Sequence, residues 1–191
     1  MESPDKNLSV QESLEIIAAM IRQAKDNIQK NSFYFLLWGW VVVLAHIGVF
    51  ILLQTGYARP YLIWLITIPA AFISMYYGYR SDKKRGHTTI IGQIILWIWV
   101  SFGITILSLI YFGADINYQL NPLILLISAI PTLVSGVVMR FRPLILGGVL
   151  FWIAGIACFL APMEFQNLIA AAAVVTGYLI PGYQLKTKQA G

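Results

Sequence analysis

Six long apolar runs dominate this sequence and restrict what it can fold into. They cover about residues 33–53, 61–79, 90–112, 122–139, 143–161 and 165–183. A helix needs about 20 mostly apolar residues to cross a bilayer, and each run has about that length. Backbone groups in hydrocarbon must be paired, so continuous apolar runs predict helices, whereas a membrane barrel shows alternating runs of about ten residues. The sequence therefore predicts an all-α membrane protein, a six-transmembrane helix bundle of three antiparallel hairpins.

The composition indicates one domain surrounded by lipid. Of the 191 residues, 59% are hydrophobic and 11% are charged, whereas a soluble domain has roughly 25% charged residues. We expect a cytoplasmic segment over residues 1–31, a transmembrane domain over residues 32–185 and a cytoplasmic tail over residues 186–191. The connections between runs are short, so neighbouring helices should pack as antiparallel hairpins.

Lys and Arg residues determine the predicted orientation. Twelve of the thirteen lie at the two chain ends or in the second and fourth connections, and Arg59 alone lies on the other side. Cytoplasmic loops are rich in such residues, so both chain ends should be cytoplasmic. Because topology accounts for the net charge of +5, we expect no nucleic-acid partner. One basic cluster could also bind anionic lipid head groups; it consists of Arg80, Lys83, Lys84 and Arg85.

An amphipathic helix is predicted over residues 9–30, ahead of the first run. Ser9 and Glu12 have the spacing of a capping box, in which two side chains satisfy backbone donors of the first turn. Apolar residues then recur at gaps of 4, 3, 4, 3 and 4, the spacing of a coiled-coil seam. This apolar stripe consists of Val10, Leu14, Ile17, Ile21, Ala24 and Ile28.

The apolar stripe needs cover, and the sequence leaves four kinds open. The stripe could rest on the inner leaflet, dock on the protein's own cytoplasmic loops, pair with a second copy, or bind a cytoplasmic partner protein. Three acidic and three basic residues balance between Glu12 and Lys30, whereas a helix lying on a membrane usually has a Lys- and Arg-rich polar face. The leaflet is therefore the least favoured cover.

Neutral polar residues inside the runs are candidate functional positions. His46 could sense protons or act as a ligand, but no second His and no carboxylate lies near it in the sequence. A buried His bonded to a neighbouring helix is the simpler interpretation. Gln93 is the largest of the neutral polar side chains and should pair across helices. Hydroxyls such as those of Ser74 and Thr132 can also bond to their own backbone.

Two prolines occur inside the second and fourth runs. Each removes a backbone donor and should kink its helix, either as a hinge or as a fixed packing feature. Pro69 lies eleven residues before Arg80, and Pro131 lies eleven residues before Arg142. This equal spacing suggests that the first two hairpins are parallel repeats, related by an axis along the membrane normal.

No catalytic or nucleotide-binding motif occurs in the sequence. The six runs contain no Asp, Glu, Lys or Arg, the residues that usually mark ion paths and proton relays. Cys158 is the single cysteine, so the chain forms no internal disulfide and no cysteine-based metal site. We therefore expect a non-enzymatic protein with no cofactor and no metal.

The beginning of the chain resembles a known family. Residues 12–17, the pair Ala24 and Lys25, and residues 32–40 (SFYFLLWGW) are similar to the start of an uncharacterised family of small bacterial six-helix inner-membrane proteins. Members of that family are often encoded beside winged-helix regulators. The resemblance covers mainly residues 12–50. It implies a bacterial inner membrane and a regulatory partner.

Two functions are consistent with these features. The first is a regulatory or interaction module that uses its N-terminal helix to bind itself or a cytoplasmic protein. The alternative is a channel or carrier for a small neutral or lipid-like solute. That alternative requires a cavity near mid-membrane, lined by residues among Thr67, Ser74, Ser128, Thr132, His46 and Ser101.

Overall fold

Six apolar helices are long enough to cross a membrane. In the computed structural model, which describes residues 10–85 and 90–187, the spans are Ser32–Gln54, Pro60–Arg80, Gly92–Tyr111, Leu120–Val138, Arg142–Leu160 and Met163–Thr187. No strand occurs within those two ranges. The predicted all-α bundle with six spans is confirmed, and the chain is an integral membrane protein.

Seven α-helices and two short segments of other helix types build the described residues. The α-helices are α1 (Val10–Gln54), α2 (Thr67–Arg85), α3 (Ile90–Tyr111), α4 (Leu120–Val138), α5 (Arg142–Leu160), α6 (Met163–Val174) and α7 (Ile180–Thr187). A 3₁₀ segment, Pro60–Ile66, forms the first part of the second span. A π segment, Val175–Leu179, joins α6 to α7 within the last span.

Four spans form the centre of the bundle and two flank it. The first span, in α1, packs on the last span, the last span packs on α5, and α5 packs on α4. α2 lies against α1, and α3 lies against α4. Burial follows this arrangement. No residue is buried in the most apolar part of α3, whereas 56% of the residues in the most apolar part of the last span are buried. The residues that other helices can hold in place therefore lie on α1, α4, α5 and the last span.

Small residues bring α4 and α5 close together. A Cβ atom built on Gly136 would lie 2.7 Å from the backbone nitrogen of Ile145, and one built on Gly148 would lie 2.9 Å from the backbone nitrogen of Leu133. Neither position has room for a side chain. Helices in lipid associate through such close backbone packing, because burial of apolar surface gives little driving force there.

Most basic residues and a group of four amide residues lie at opposite ends of the bundle, because successive helices run in opposite directions. We call one end the basic end; it carries Arg80, Lys83, Arg140, Arg142 and Lys186. We call the other the amide end; it carries Gln119, Asn121, Gln166 and Asn167. α1 enters the bundle at the basic end and finishes at the amide end.

The first two hairpins share one hydrogen bond but not their surroundings. Trp38 Nε1 donates to Ser74 Oγ at 3.0 Å in the first hairpin. Trp99 Nε1 donates to Ser135 Oγ at 3.3 Å in the second, across the same separation of 36 residues. The first hairpin, however, meets the last hairpin through α1, and the second meets it through α4. A parallel repeat would give α1 and α3 equivalent neighbours, so the predicted axis along the membrane normal is not observed.

Candidate functional site

A cleft opens at the amide end, between the end of α1, the loop after α3 and the starts of α4 and α6. Its volume is about 460 Å³, within the range of small-molecule sites. Leu53 and Met163 supply apolar lining, and the polar lining consists of Gln54, Tyr118, Asn121, Glu164, Gln166 and Asn167. Glu164 is the one charged residue among the described residues that line the cleft.

Gln166 is the most buried polar residue of the cleft. Only 2% of its surface is exposed, because it lies near the start of α6 and faces the end of α5. Its Nε2 donates to Gln119 Oε1 at 3.0 Å and to the carbonyl oxygen of Cys158 at 3.1 Å. These two bonds tie α6 to the end of α5 and to the residue just before α4.

Asn167 connects three helices through one oxygen atom. Its Oδ1 accepts a hydrogen bond from Asn121 Nδ2 of α4 at 3.3 Å and lies 3.1 Å from His46 Nδ1 of α1. With Oδ1 as the acceptor, the imidazole donates from Nδ1. Trp64 of the 3₁₀ segment meets the His46 ring edge-on, with centroids 4.9 Å apart. His46 therefore sits buried at an interface between helices.

Two buried amide atoms of the cleft have no hydrogen-bond partner among residues 10–85 and 90–187. Asn167 bonds through Oδ1, which leaves its Nδ2 without an acceptor. Gln166 bonds through Nε2, which leaves its Oε1 without a donor. Buried polar groups are almost always paired, and an unpaired one costs about 1–3 kcal/mol. A ligand or an ordered water in the cleft would satisfy both groups.

The loop that walls the cleft contains two consecutive residues in the left-handed region. Asn117 has φ 52° and Tyr118 has φ 54°. Asn tolerates this conformation, whereas a bulky residue such as Tyr rarely adopts it. The loop's own bonds hold it there, including one from the Tyr118 N–H to the carbonyl oxygen of Gly113 at 2.8 Å. Backbone strain of this kind clusters at functional sites.

The amide residues of this site were missed by the sequence reasoning. Gln119 and Asn121 precede one apolar run, and Gln166 and Asn167 begin another. Polar residues are common at a membrane boundary, so these positions did not indicate a site. One signal was available in the sequence. Both pairs lie at run ends that the predicted orientation puts on one side of the membrane, and the run that contains His46 ends on that side too.

The apolar stripe and the residues that α1 buries in the bundle are related by their helical spacing. An α-helix has 3.6 residues per turn, so positions 18 apart are five turns apart and point the same way. Ile28 is 18 residues before His46, and Ile21 is 18 residues before Gly39; His46 and Gly39 are both buried. Because α1 is continuous over 45 residues, helical periodicity predicts that the stripe positions fall on the same face of α1 as these buried positions.

Most of the stripe extends past the neighbouring helices. Ser32 Oγ donates to the carbonyl oxygen of Gly182 at 3.4 Å, and α7 ends five residues later, at Thr187. At 1.5 Å per residue, α7 reaches about the level of residue 27. α2 ends at a similar level, because Ser74 is level with Trp38 and Arg85 is eleven residues further on. Leu14, far beyond that level, is 61% exposed; the other stripe side chains lie outside the described residues.

A second polar cluster lies in the middle of the bundle and is closed. Thr132 has no exposed surface; it donates to the carbonyl oxygen of Ser128 at 2.6 Å and lies 3.2 Å from the Tyr178 hydroxyl. Because Thr132 has one hydroxyl proton, Tyr178 is the donor in the second contact. Tyr178 belongs to the π segment and stacks on Phe151 at 5.3 Å. Such π turns are rare and frequently occur at functional sites.

Two predicted roles differ from the structure. Gln93 has an exposed side chain and makes no hydrogen bond to any described residue, so the predicted pairing across helices is not observed. Pro69 is exposed in the first turn of α2, directly after the 3₁₀ segment, and not in the interior of a continuous α-helix as expected. The second span instead changes from 3₁₀ to α geometry between Ile66 and Thr67.

The remaining sequence candidates are placed as follows. Pro131 lies buried inside α4, as expected. Ser74 accepts the bond from Trp38 described above. Arg80 and Lys83 are exposed at the basic end, while the side chains of Lys84 and Arg85 lie outside the described residues. Within the described ranges, no group of three or more His, Cys, Asp or Glu could hold a metal ion.

Comparison with known proteins adds no relative. No protein-family model, no curated protein and no solved structure matches this chain. Its function is therefore inferred from its own residues and geometry.

Proposed function

We propose that this protein is a non-enzymatic regulator of the bacterial inner membrane whose N-terminal helix binds a helical segment of a cytoplasmic partner protein. The continuity of α1 carries the proposal, since one 45-residue helix holds both the apolar stripe and the first span. A partner bound to the stripe is thus connected to His46 and the amide end through one continuous helix. The resemblance to proteins encoded beside winged-helix regulators supports a regulatory partner.

The charge distribution supports a cytoplasmic position for the stripe. Twelve of thirteen Lys and Arg residues belong to the basic end or to the chain ends beside it. By the positive-inside rule, this end faces the cytoplasm. Residues 10–31 then extend about 33 Å from the membrane, at 1.5 Å per residue.

The face that the stripe occupies disfavours a second copy as its cover. Two copies in one membrane insert in the same direction, so their α1 helices would pair in parallel. By helical periodicity, the stripe positions continue into the face of α1 that packs on the last span. A second α1, paired through the stripe and continuing straight, would enter the membrane where α7 already lies. A cytoplasmic partner helix that ends before it reaches the membrane would not clash with the bundle.

The partner's chemistry follows from the stripe. Gaps of 4 and 3 residues fit knobs-into-holes packing against another helix. Five of the six charged residues between Glu12 and Lys30 lie away from the stripe; Lys25 lies at its edge. The partner segment is therefore an amphipathic helix of about three heptads, with an apolar stripe of its own.

Site-specific photo-crosslinking in native membranes tests this proposal. A photoreactive residue replaces Ala24, in the stripe, or Ala19, on the opposite face of the same helix. We expect Ala24 to give an adduct with another polypeptide and Ala19 to give none. Mass spectrometry should map the adduct to a segment with apolar spacings of 3 and 4.

Matched substitutions provide the control. Ala24→Glu places a charge in the apolar stripe and should abolish copurification of the crosslinked protein, while Ala19→Glu should preserve it. An adduct of twice the 21.4 kDa chain mass would show that the cover is a second copy. Equal adducts at both positions, or none, would overturn the proposal.

The alternative is a channel or carrier for a small neutral or lipid-like solute. The structure gives it less support, because Thr132 has no exposed surface and Ser128 bonds to its own helix. A groove of about 450 Å³ beside Pro131 and Ser101 lies between α3 and α4 instead. Solute uptake by liposomes that contain the purified protein would favour the channel or carrier over the regulatory module.

A further inference from the structure

The amide-end cleft has the features of a built binding site. Gln166 and Asn167 line it with 2% and 6% of their surfaces exposed, and each keeps one polar group unpaired within the described structure. Folding has thus placed a free donor, Asn167 Nδ2, and a free acceptor, Gln166 Oε1, beside an opening of about 460 Å³. We infer that this cleft binds an uncharged glycosyl group, carried by a free sugar or by a glycolipid.

The free amide groups match hydroxyl chemistry. A hydroxyl both donates and accepts a hydrogen bond, so adjacent hydroxyls of a sugar can satisfy Asn167 Nδ2 and Gln166 Oε1 together. Asn121 donates to Asn167 through Nδ2, which leaves its Oδ1 as a further acceptor. Gln54, on α1, adds an exposed amide on another side of the cleft. A purely apolar ligand would leave these groups unsatisfied, which is unfavourable for buried polar atoms.

The charge of the cleft excludes anions. Glu164 is the single charged residue of its described lining, and no Lys, Arg or His of that lining offsets it. A phosphate or carboxylate would meet repulsion without a counter-charge. An uncharged hydroxylated group avoids this penalty.

The apolar lining agrees with a sugar ring. Leu53, Met163 and Tyr118 line the same cleft as the amides, so polar and apolar surfaces face one space. A sugar ring has hydroxyls at its rim and C–H groups on its faces, and it can contact both kinds of surface. The cleft also lies where the spans end, which is the level of a lipid head group.

Ligand-dependent thermal stability of the full chain in phosphatidylcholine nanodiscs tests the inference. One arm titrates maltose, and a second uses nanodiscs that contain diglucosyldiacylglycerol. Binding to the folded state should raise the unfolding midpoint by on the order of 5 °C at a hundredfold excess over the dissociation constant. Gluconate, which is hydroxylated but anionic, should not.

Two variants separate binding from general stabilisation by sugars, which are excluded from protein surfaces. Met163→Trp fills the cleft from its exposed lining, whereas Leu160→Trp adds the same ring at the exposed end of α5, outside the cleft. The shift should vanish in Met163→Trp and persist in Leu160→Trp. A maltose response indicates a free sugar as the source, and a response to the glycolipid alone indicates a head group.

No shift in either arm, or an equal shift in Met163→Trp, would overturn the inference. Its outcome is separate from that of the proposed function. Ala24→Glu, at the opposite end of α1, should lose the partner and keep the ligand-dependent shift.

Discussion

Gly147 of α5 packs directly against the backbone of the π segment. A Cβ atom built on it would lie 3.0 Å from both the Cα and the carbonyl carbon of Gly177, and closer still to the carbonyl oxygen. Ordinary contacts of a Cβ atom lie at 3.4–4 Å. The neighbours here are backbone atoms, which cannot rotate away as a side chain can. Gly147→Ala must therefore move α5 and the π segment apart by at least 0.4 Å, the difference between 3.4 and 3.0 Å.

Overpacking of this kind costs about 1–3 kcal/mol. For a chain of this length, each kcal/mol lowers the unfolding midpoint by about 2–4 °C, so we expect a fall of roughly 2–12 °C. Tryptophan fluorescence in detergent at one fixed scan rate measures it, because membrane-protein unfolding is often irreversible. Gly103→Ala is the control, since a Cβ there meets nothing within 4 Å. Equal midpoints for the two variants would refute the close contact.

Two further predictions concern the buried polar cluster and the orientation. Thr132→Val removes the acceptor of the Tyr178 hydroxyl and should cost about 1 kcal/mol. Adding Tyr178→Phe should recover part of that loss, so additive effects in a double-mutant cycle would contradict the bond. For the orientation, a membrane-impermeant thiol reagent applied to intact cells should label Tyr57→Cys and should label Lys83→Cys only after the membrane is opened; both positions are exposed. The reverse pattern would place the basic end outside.

The six spans were predictable because one physical constraint sets them. Hydrocarbon thickness fixes the length of a spanning helix, and apolar composition marks it, so each run could be recognised without its neighbours. The partner of His46 could not be recognised this way. Asn167 lies 121 residues further along the chain, and its position beside α1 follows from the order of helices in the bundle. That order depends on packing between spans that all have similar composition.

Local helix type was also beyond the sequence pattern. Pro69 was expected to disrupt a continuous α-helix, but the second span changes type three residues earlier, where Thr67 Oγ1 donates to the carbonyl oxygen of Trp64 at 2.7 Å. The π segment packs closely against α5, where Gly147 meets Gly177. Hydropathy records neither the side-chain bond within the second span nor this contact between helices.

The long separation between α1 and the last span has a consequence for biosynthesis. α1 leaves the ribosome before the other five described spans, yet its bonds join Ser32 to Gly182 and His46 to Asn167, 150 and 121 residues later. At synthesis rates of about 5–20 residues per second, His46 waits on the order of 10 s for its partner. During that interval the α4–α5 hairpin can already close, because its helices are adjacent in the chain. The earliest of these six spans is thus among the last to be fixed in the bundle, and a truncated chain that lacks the last span would leave α1 without its main neighbour.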